Sequence, residues 1–141
     1  MIHYYKFYCS RENLKEIRDF VTGVLRNYSL SEIEINHMVL AVDEVCSNLI
    51  IHSHHCNADD AIELSIRNQP TGVTFEIIDR AGTYFDLNNY KAPELRELID
   101  RSHKGGMGLR LVKTLMDKVE VEYHDSQSTW RLYKDIHRAT V

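Results

Sequence analysis

Apolar residues recur along this chain with two periods. Residues 2–8 alternate loosely through Ile2, Tyr4, Tyr5, Phe7 and Tyr8, which predicts an edge-type strand. Ser10 is placed to cap the segment that follows. There Leu14, Ile17, Val21, Val24, Leu25 and Tyr28 step by three and four, the mark of a helix with one apolar face. Ser31-Glu32-Ile33-Glu34 reads as a capping box, hydroxyl and carboxylate each serving the other's backbone donor. It opens a helix carrying Ile35, Met38, Val39, Val42, Cys46, Leu49 and Ile50, expected to run to about His52; residues 53–60 read as a polar loop. Ile62, Leu64 and Ile66 alternate, as do Val73, Phe75 and Ile77. The turn chemistry of Asn68-Gln69-Pro70-Thr71-Gly72 between them predicts an antiparallel hairpin.

Residues 79–106 are poor in apolar positions, apart from a short helix that Pro93 could start through Leu95, Leu98 and Ile99. Long irregular segments of this kind serve as lids or binding loops. Gly105-Gly106-Met107-Gly108 leads into a third helix with Leu109, Val112, Leu115 and Met116. Val119, Val121 and Tyr123, then Trp130, Leu132 and Ile136, give two last strands. Strands come in hairpins and not in strict alternation with helices. The expected class is therefore α+β, with about three helices on one face of a mixed, mostly antiparallel sheet.

The totals change little in this picture. The 141 residues suit a single domain spanning 1–141, with 43% hydrophobic and 27% charged residues. A net charge of −4 argues against direct nucleic-acid binding, which draws on a basic face. No run approaches the ~20 apolar residues of a membrane span. The three cysteines have no framework spacing and are expected as reduced thiols, so the cytoplasm is the default compartment.

Four constellations could carry chemistry. Glu44 and Asn48 lie one turn apart at the border of the apolar stripe, where a carboxylate is partly desolvated and suited to act as a base. An amide oxygen one turn along is a plausible hard ligand for Mg²⁺. Asp79 ends a strand, and Gly82 follows in a turn. Lys104-Gly105-Gly106-Met107-Gly108 closes a polar loop and opens a helix, where backbone amides favour phosphate. It has neither the Gly-Lys-Ser/Thr ending of a P-loop nor the leading strand of a dinucleotide fingerprint. His52-Ser53-His54-His55-Cys56 has zinc-type residues at a poor spacing and reads better as a polar helix end. Taken singly, each of these passes for ordinary border, turn or cap chemistry.

Their order is more specific. A helix with Glu-x-x-x-Asn, a strand ending in Asp near a Gly, a lid, and a glycine run opening a helix is the motif order of the GHKL (Bergerat-fold) ATPases. Residues 40–52, with His52 four places after Asn48, resemble the corresponding box of the anti-sigma-factor serine/threonine kinases; so do Phe85-Asp86 and the run from Gly105 to Asp117. The resemblance spans nearly the whole chain. It implies a two-layer sandwich that binds ATP with Mg²⁺, with Glu44 as the general base toward a serine or threonine of a protein partner. It further implies Asn48 as the Mg²⁺ ligand, Asp79 as acceptor of the adenine amine, and Gly82, Lys104, Gly105, Gly106, Met107 and Gly108 around the nucleotide. A lid over residues 86–104 with Arg101, and Thr129 on the nucleotide side of the last strand, complete the set.

The implied partner is a STAS-type anti-anti-sigma domain, with a sigma factor or a second copy of the chain as further candidates. One departure stands out. The family usually has Asp-x-Gly after the strand, whereas Asp79-Arg80-Ala81-Gly82 places the glycine one residue late. Alanine is strained where a turn demands positive φ. That departure keeps a second reading open: a switch module of the same fold that binds its partner with weak or no catalysis. A histidine kinase would need a dimerisation segment before Ser31 that the chain lacks the residues to build, and a gyrase-type clamp would need further domains.

Overall fold

The computed structural model describes residues 2–8, 10, 12–52, 61–79, 104–124 and 127–136. Among them five strands form one sheet: β1 (Ile2–Tyr8), β2 (Ala61–Gln69), β3 (Gly72–Asp79), β4 (Lys118–His124) and β5 (Gln127–Asp135). Their order is β1-β2-β3-β5-β4, and every pair is antiparallel. The mostly antiparallel sheet expected from the sequence is found: among the described residues neighbours are joined as hairpins or antiparallel crossings, and no parallel pair arises. Among the described residues three helices, α1 (Asn13–Leu25), α2 (Glu32–His52) and α3 (Lys104–Leu115), complete the α+β sandwich; a 3₁₀ turn at Arg26–Tyr28 extends α1.

Strand alternation sorts side chains onto two faces. Ile62, Leu64 and Ile66 of β2 lie opposite Asp79, Ile77 and Phe75 of β3, which in turn face Ser128, Trp130 and Leu132 of β5. All of these are buried and make the helix-covered face. On the other face Arg131 bridges Glu76 at 3.1 Å and Glu122 at 3.0 Å.

The helices are fixed to the sheet by specific contacts. Tyr5 of β1 stacks on Phe20 of α1 with ring centroids 4.9 Å apart, and its hydroxyl donates to Glu16 at 3.1 Å. A 2.6 Å hydrogen bond joins His3 Nδ1 to the Tyr28 hydroxyl. Ser10 lies before the helix cap itself: its hydroxyl accepts from the Glu12 amide, and its carbonyl from Asn13. The capping box of α2 is formed in both directions. Ser31 N–H donates to Glu34 Oε1 at 3.0 Å, and Glu34 N–H to Ser31 Oγ at 3.1 Å.

Gly72 closes the β2–β3 turn because a Cβ there would strike the Lys134 carbonyl. Lys134 Nζ donates to the Leu115 carbonyl at 2.9 Å, placing a cation at the C-terminal end of α3. α2 packs against both α1 and α3 and touches β3. It is the element through which the fold communicates with the candidate site.

Candidate functional site

The site is built around α2. Its inner side is seated in the core: Ile35, Met38, Val42, Val45, Cys46 and Leu49 are all buried. Glu44 and Asn48, one turn apart, share a different face of the same helix. Glu44 is partly buried. Loss of water around it raises its carboxyl above the ordinary carboxylate value, and the negative charge of Asp43 adds to the shift. Asp43 itself is held by Arg18 of α1 at 3.0 Å. Cys46 is fully enclosed, and burial pushes its thiol far up, so it is inert packing and not a nucleophile.

Only four polar side chains are buried among the described residues: Asn48, Asp79, Ser128 and Thr129. Three belong to the paired ends of β3 and β5, where Asp79 lies opposite Ser128 and Ile78 opposite Thr129. Asp79 is 1% exposed and on the helix-covered face. Ser128 is 0% exposed, and its Oγ meets no hydrogen-bond partner among the described residues. An orphaned buried hydroxyl costs about 1–3 kcal/mol, so a polar ligand or water beside it is rewarded.

The register separates two neighbouring hydroxyls. Thr129 is turned to the face opposite Asp79, with Ile78 and Arg131, because Trp130 and Leu132 direct the alternate positions of β5 into the core. Ser128 is the hydroxyl beside Asp79. The parity of Trp130 was the signal that could have found it.

Lys104, Gly105, Gly106, Met107 and Gly108 form the first turns of α3, so the glycine run is part of the helix start and not a loop ahead of it. The first amides of a helix lack intrahelical acceptors, and glycine leaves them accessible to an anion. The packing of α3 on α2 brings this helix alongside the one bearing Glu44 and Asn48. Gly82, the Ala81 departure, Phe85-Asp86, Arg101, the Pro93 helix, most of the proposed lid, and residues 53–60 with His54, His55 and Cys56 lie outside the described residues. Among the described residues no group of three His, Cys, Asp or Glu side chains could hold a metal by itself. No described helix is long and apolar enough to cross a membrane.

Comparison with known proteins identifies the family and the fold. Residues 9–134 match the model of the histidine kinase-like ATPase domain. The serine-protein kinase RsbW of Bacillus licheniformis is 32% identical over 132 residues, covering 89% of this chain and 79% of that protein. RsbW of Bacillus cereus is 28% identical over 130 residues with the same coverage.

Two solved structures share the fold at low identity. The RsbU and RsbW domains of Rv1364c from Mycobacterium tuberculosis align with a TM-score of 0.66 at 12% identity, over 95% of this chain and 31% of that longer one. The SiaB–SiaC complex from Pseudomonas aeruginosa aligns with a TM-score of 0.60 at 16% identity, over 95% of this chain and 89% of that one. With a matching domain model over most of its length and an RsbW relative at this identity and coverage, the chain belongs to the histidine kinase-like ATPase domain family, among the RsbW-type serine-protein kinases.

Proposed function

We propose that the protein is a cytoplasmic serine/threonine protein kinase that transfers phosphate from ATP to a STAS-type anti-anti-sigma partner, and that it also holds a sigma factor. The observation carrying this reading is the Glu44–Asn48 pair on α2, with the Glu44 carboxyl raised by desolvation. Kinship with serine-protein kinases supports the reaction type. Glu44 accepts the proton of the partner's hydroxyl as that oxygen attacks the γ-phosphorus, and ADP leaves. Raising the pKa of the carboxyl makes its ionised form a stronger base. Asp79 accepts a hydrogen bond from the adenine amine, and the Ser128 hydroxyl lies next to it to bind a ring nitrogen or a bridging water. The amides opening α3 receive the phosphates. Asn48 would hold Mg²⁺ through its amide oxygen; the ion, when bound, offsets phosphate charge.

Two measurements test this. Calorimetric titration with Mg-ATP should give saturable heat, and Asp79→Ala should remove it. Labelled ATP incubated with the STAS-domain proteins of the source organism should label at least one, and Glu44→Ala should abolish labelling while retaining nucleotide binding. Labelling that survives Glu44→Ala would refute the base. The Ala81-Gly82 departure favours a second reading, a partner-binding switch without transfer. No heat at millimolar Mg-ATP together with intact partner binding would select it.

A further inference from the structure

Among the described residues the large exposed apolar side chains fall in two places. Ile2, Tyr4 and Tyr8 lie on the open face of β1; Ile33 and Leu40 lie on α2. The second pair is placed with respect to chemistry. Ile33, His37, Leu40 and Glu44 follow one another at helical steps of four, three and four, so they form one ridge along α2. Ile33 is 68% and Leu40 39% exposed, while the opposite side of the same turns is seated in the core. Leu40 is one turn, about 6 Å, from Glu44, and Ile33 about 16 Å away at 1.5 Å per residue. Apolar side chains so exposed, on a helix whose inner face already fills the core, add little to that core.

We infer that this ridge, Ile33–His37–Leu40, is the docking surface for the phosphoacceptor protein, and that it sets which hydroxyl reaches Glu44. The inference rests on the kinase reading above and goes beyond it by naming the surface and its complement. A folded partner that presents a hydroxyl to Glu44 covers the adjoining turn of α2, because an interface of standard size reaches well beyond one side chain. The ridge is thus continuous with the place where the acceptor must sit. α1 flanks it through the Arg18–Asp43 pair, and exposed Glu32 ends it. The partner surface that fits has an apolar hollow next to the acceptor hydroxyl, about one to three helical turns away, with a basic residue at the far rim toward Glu32.

The test uses the full chain and the STAS-domain protein it labels. Ile33→Lys/Leu40→Lys should raise KM for that protein roughly tenfold or more, the scale expected for losing central apolar anchors. The maximal rate at saturating partner and the calorimetric Kd for Mg-ATP serve as readouts that a damaged fold would also move; both should stay as in the parent. Ile33→Lys alone, at the more exposed site, gives the same direction if the double variant folds poorly. Tyr4→Lys makes the same charge change on the β1 patch and should leave KM unaltered. An unchanged KM in both α2 variants overturns the docking surface while leaving the kinase reading intact. So does a rise in KM confined to Tyr4→Lys, or a drop in the solution mass of the free chain caused by the α2 variants, which would assign the ridge to a second copy. Failure of the parent to bind or label any STAS-domain protein overturns both readings together.

Discussion

The two sides of α2 differ in what they are for. On the inner side Ile35, Met38, Val42, Val45, Cys46 and Leu49 are at most 5% exposed and close the space between helix layer and sheet. On the outer side Ile33 and Leu40 are exposed, and His37 and Glu44 are half-buried. The 21 residues of α2, Glu32–His52, carry both jobs at once. The inner face is explained by hydrophobic burial alone. The outer face, exposed at Ile33 and Leu40, is the one proposed to meet a partner. Stability and activity should therefore separate cleanly between substitutions on the two sides.

The largest separation is expected at Glu44. Glu44→Ala should remove nearly all phosphoryl transfer, with a melting temperature close to the parent's, as read by labelled-ATP assay and thermal denaturation. On the inner side, Met38→Ala should cost ~2–5 kcal/mol in denaturant unfolding, since Met38 is fully buried and leaves a cavity. Transfer per folded molecule should change little. Ser31→Ala, which breaks the reciprocal cap, should cost about 1 kcal/mol.

A smaller effect probes Glu44 by pH. Transfer should rise with pH through the raised pKa of its carboxyl and then level off. Asp43→Asn should move that rise to lower pH, because Asp43's charge is the second cause of the shift. The corresponding effect on stability has the opposite sense. A carboxyl whose folded pKa is raised penalises the folded state above that pKa, and the penalty vanishes as pH falls below the unfolded value. Glu44→Gln should then raise the melting temperature slightly at neutral pH, with the gain disappearing in acid. A loss of stability at neutral pH instead would place Glu44 in the structural set.

Much of this was legible in the sequence because periodicity reports burial. β1 at residues 2–8, the β2–β3 hairpin and the reciprocal Ser31–Glu34 cap all follow from local pattern and turn chemistry. Strand direction was less legible: pairing order depends on tertiary contacts, and the sheet proved wholly antiparallel among the described residues. Within the site, Glu44 and Asn48 were readable because helical spacing fixes their common face. The hydroxyl beside Asp79 was not, since choosing Ser128 over Thr129 requires the β3–β5 register. The exposure of Ile33 and Leu40 is not legible in the sequence for a related reason. In a helix this apolar, no sequence pattern separates side chains that fill a core from those left for a partner.

The reading depends most on α2, the end of β3 and the start of α3 serving one adenine nucleotide. A crystal structure with a non-hydrolysable ATP analogue and Mg²⁺ tests that directly. The account predicts the adenine amine within hydrogen-bond distance of the Asp79 carboxylate, Ser128 Oγ engaged on the same side, Asn48 on the metal, and the terminal phosphate next to Glu44. A nucleotide bound away from Asp79, or one whose γ-phosphate lies out of reach of Glu44, would contradict it.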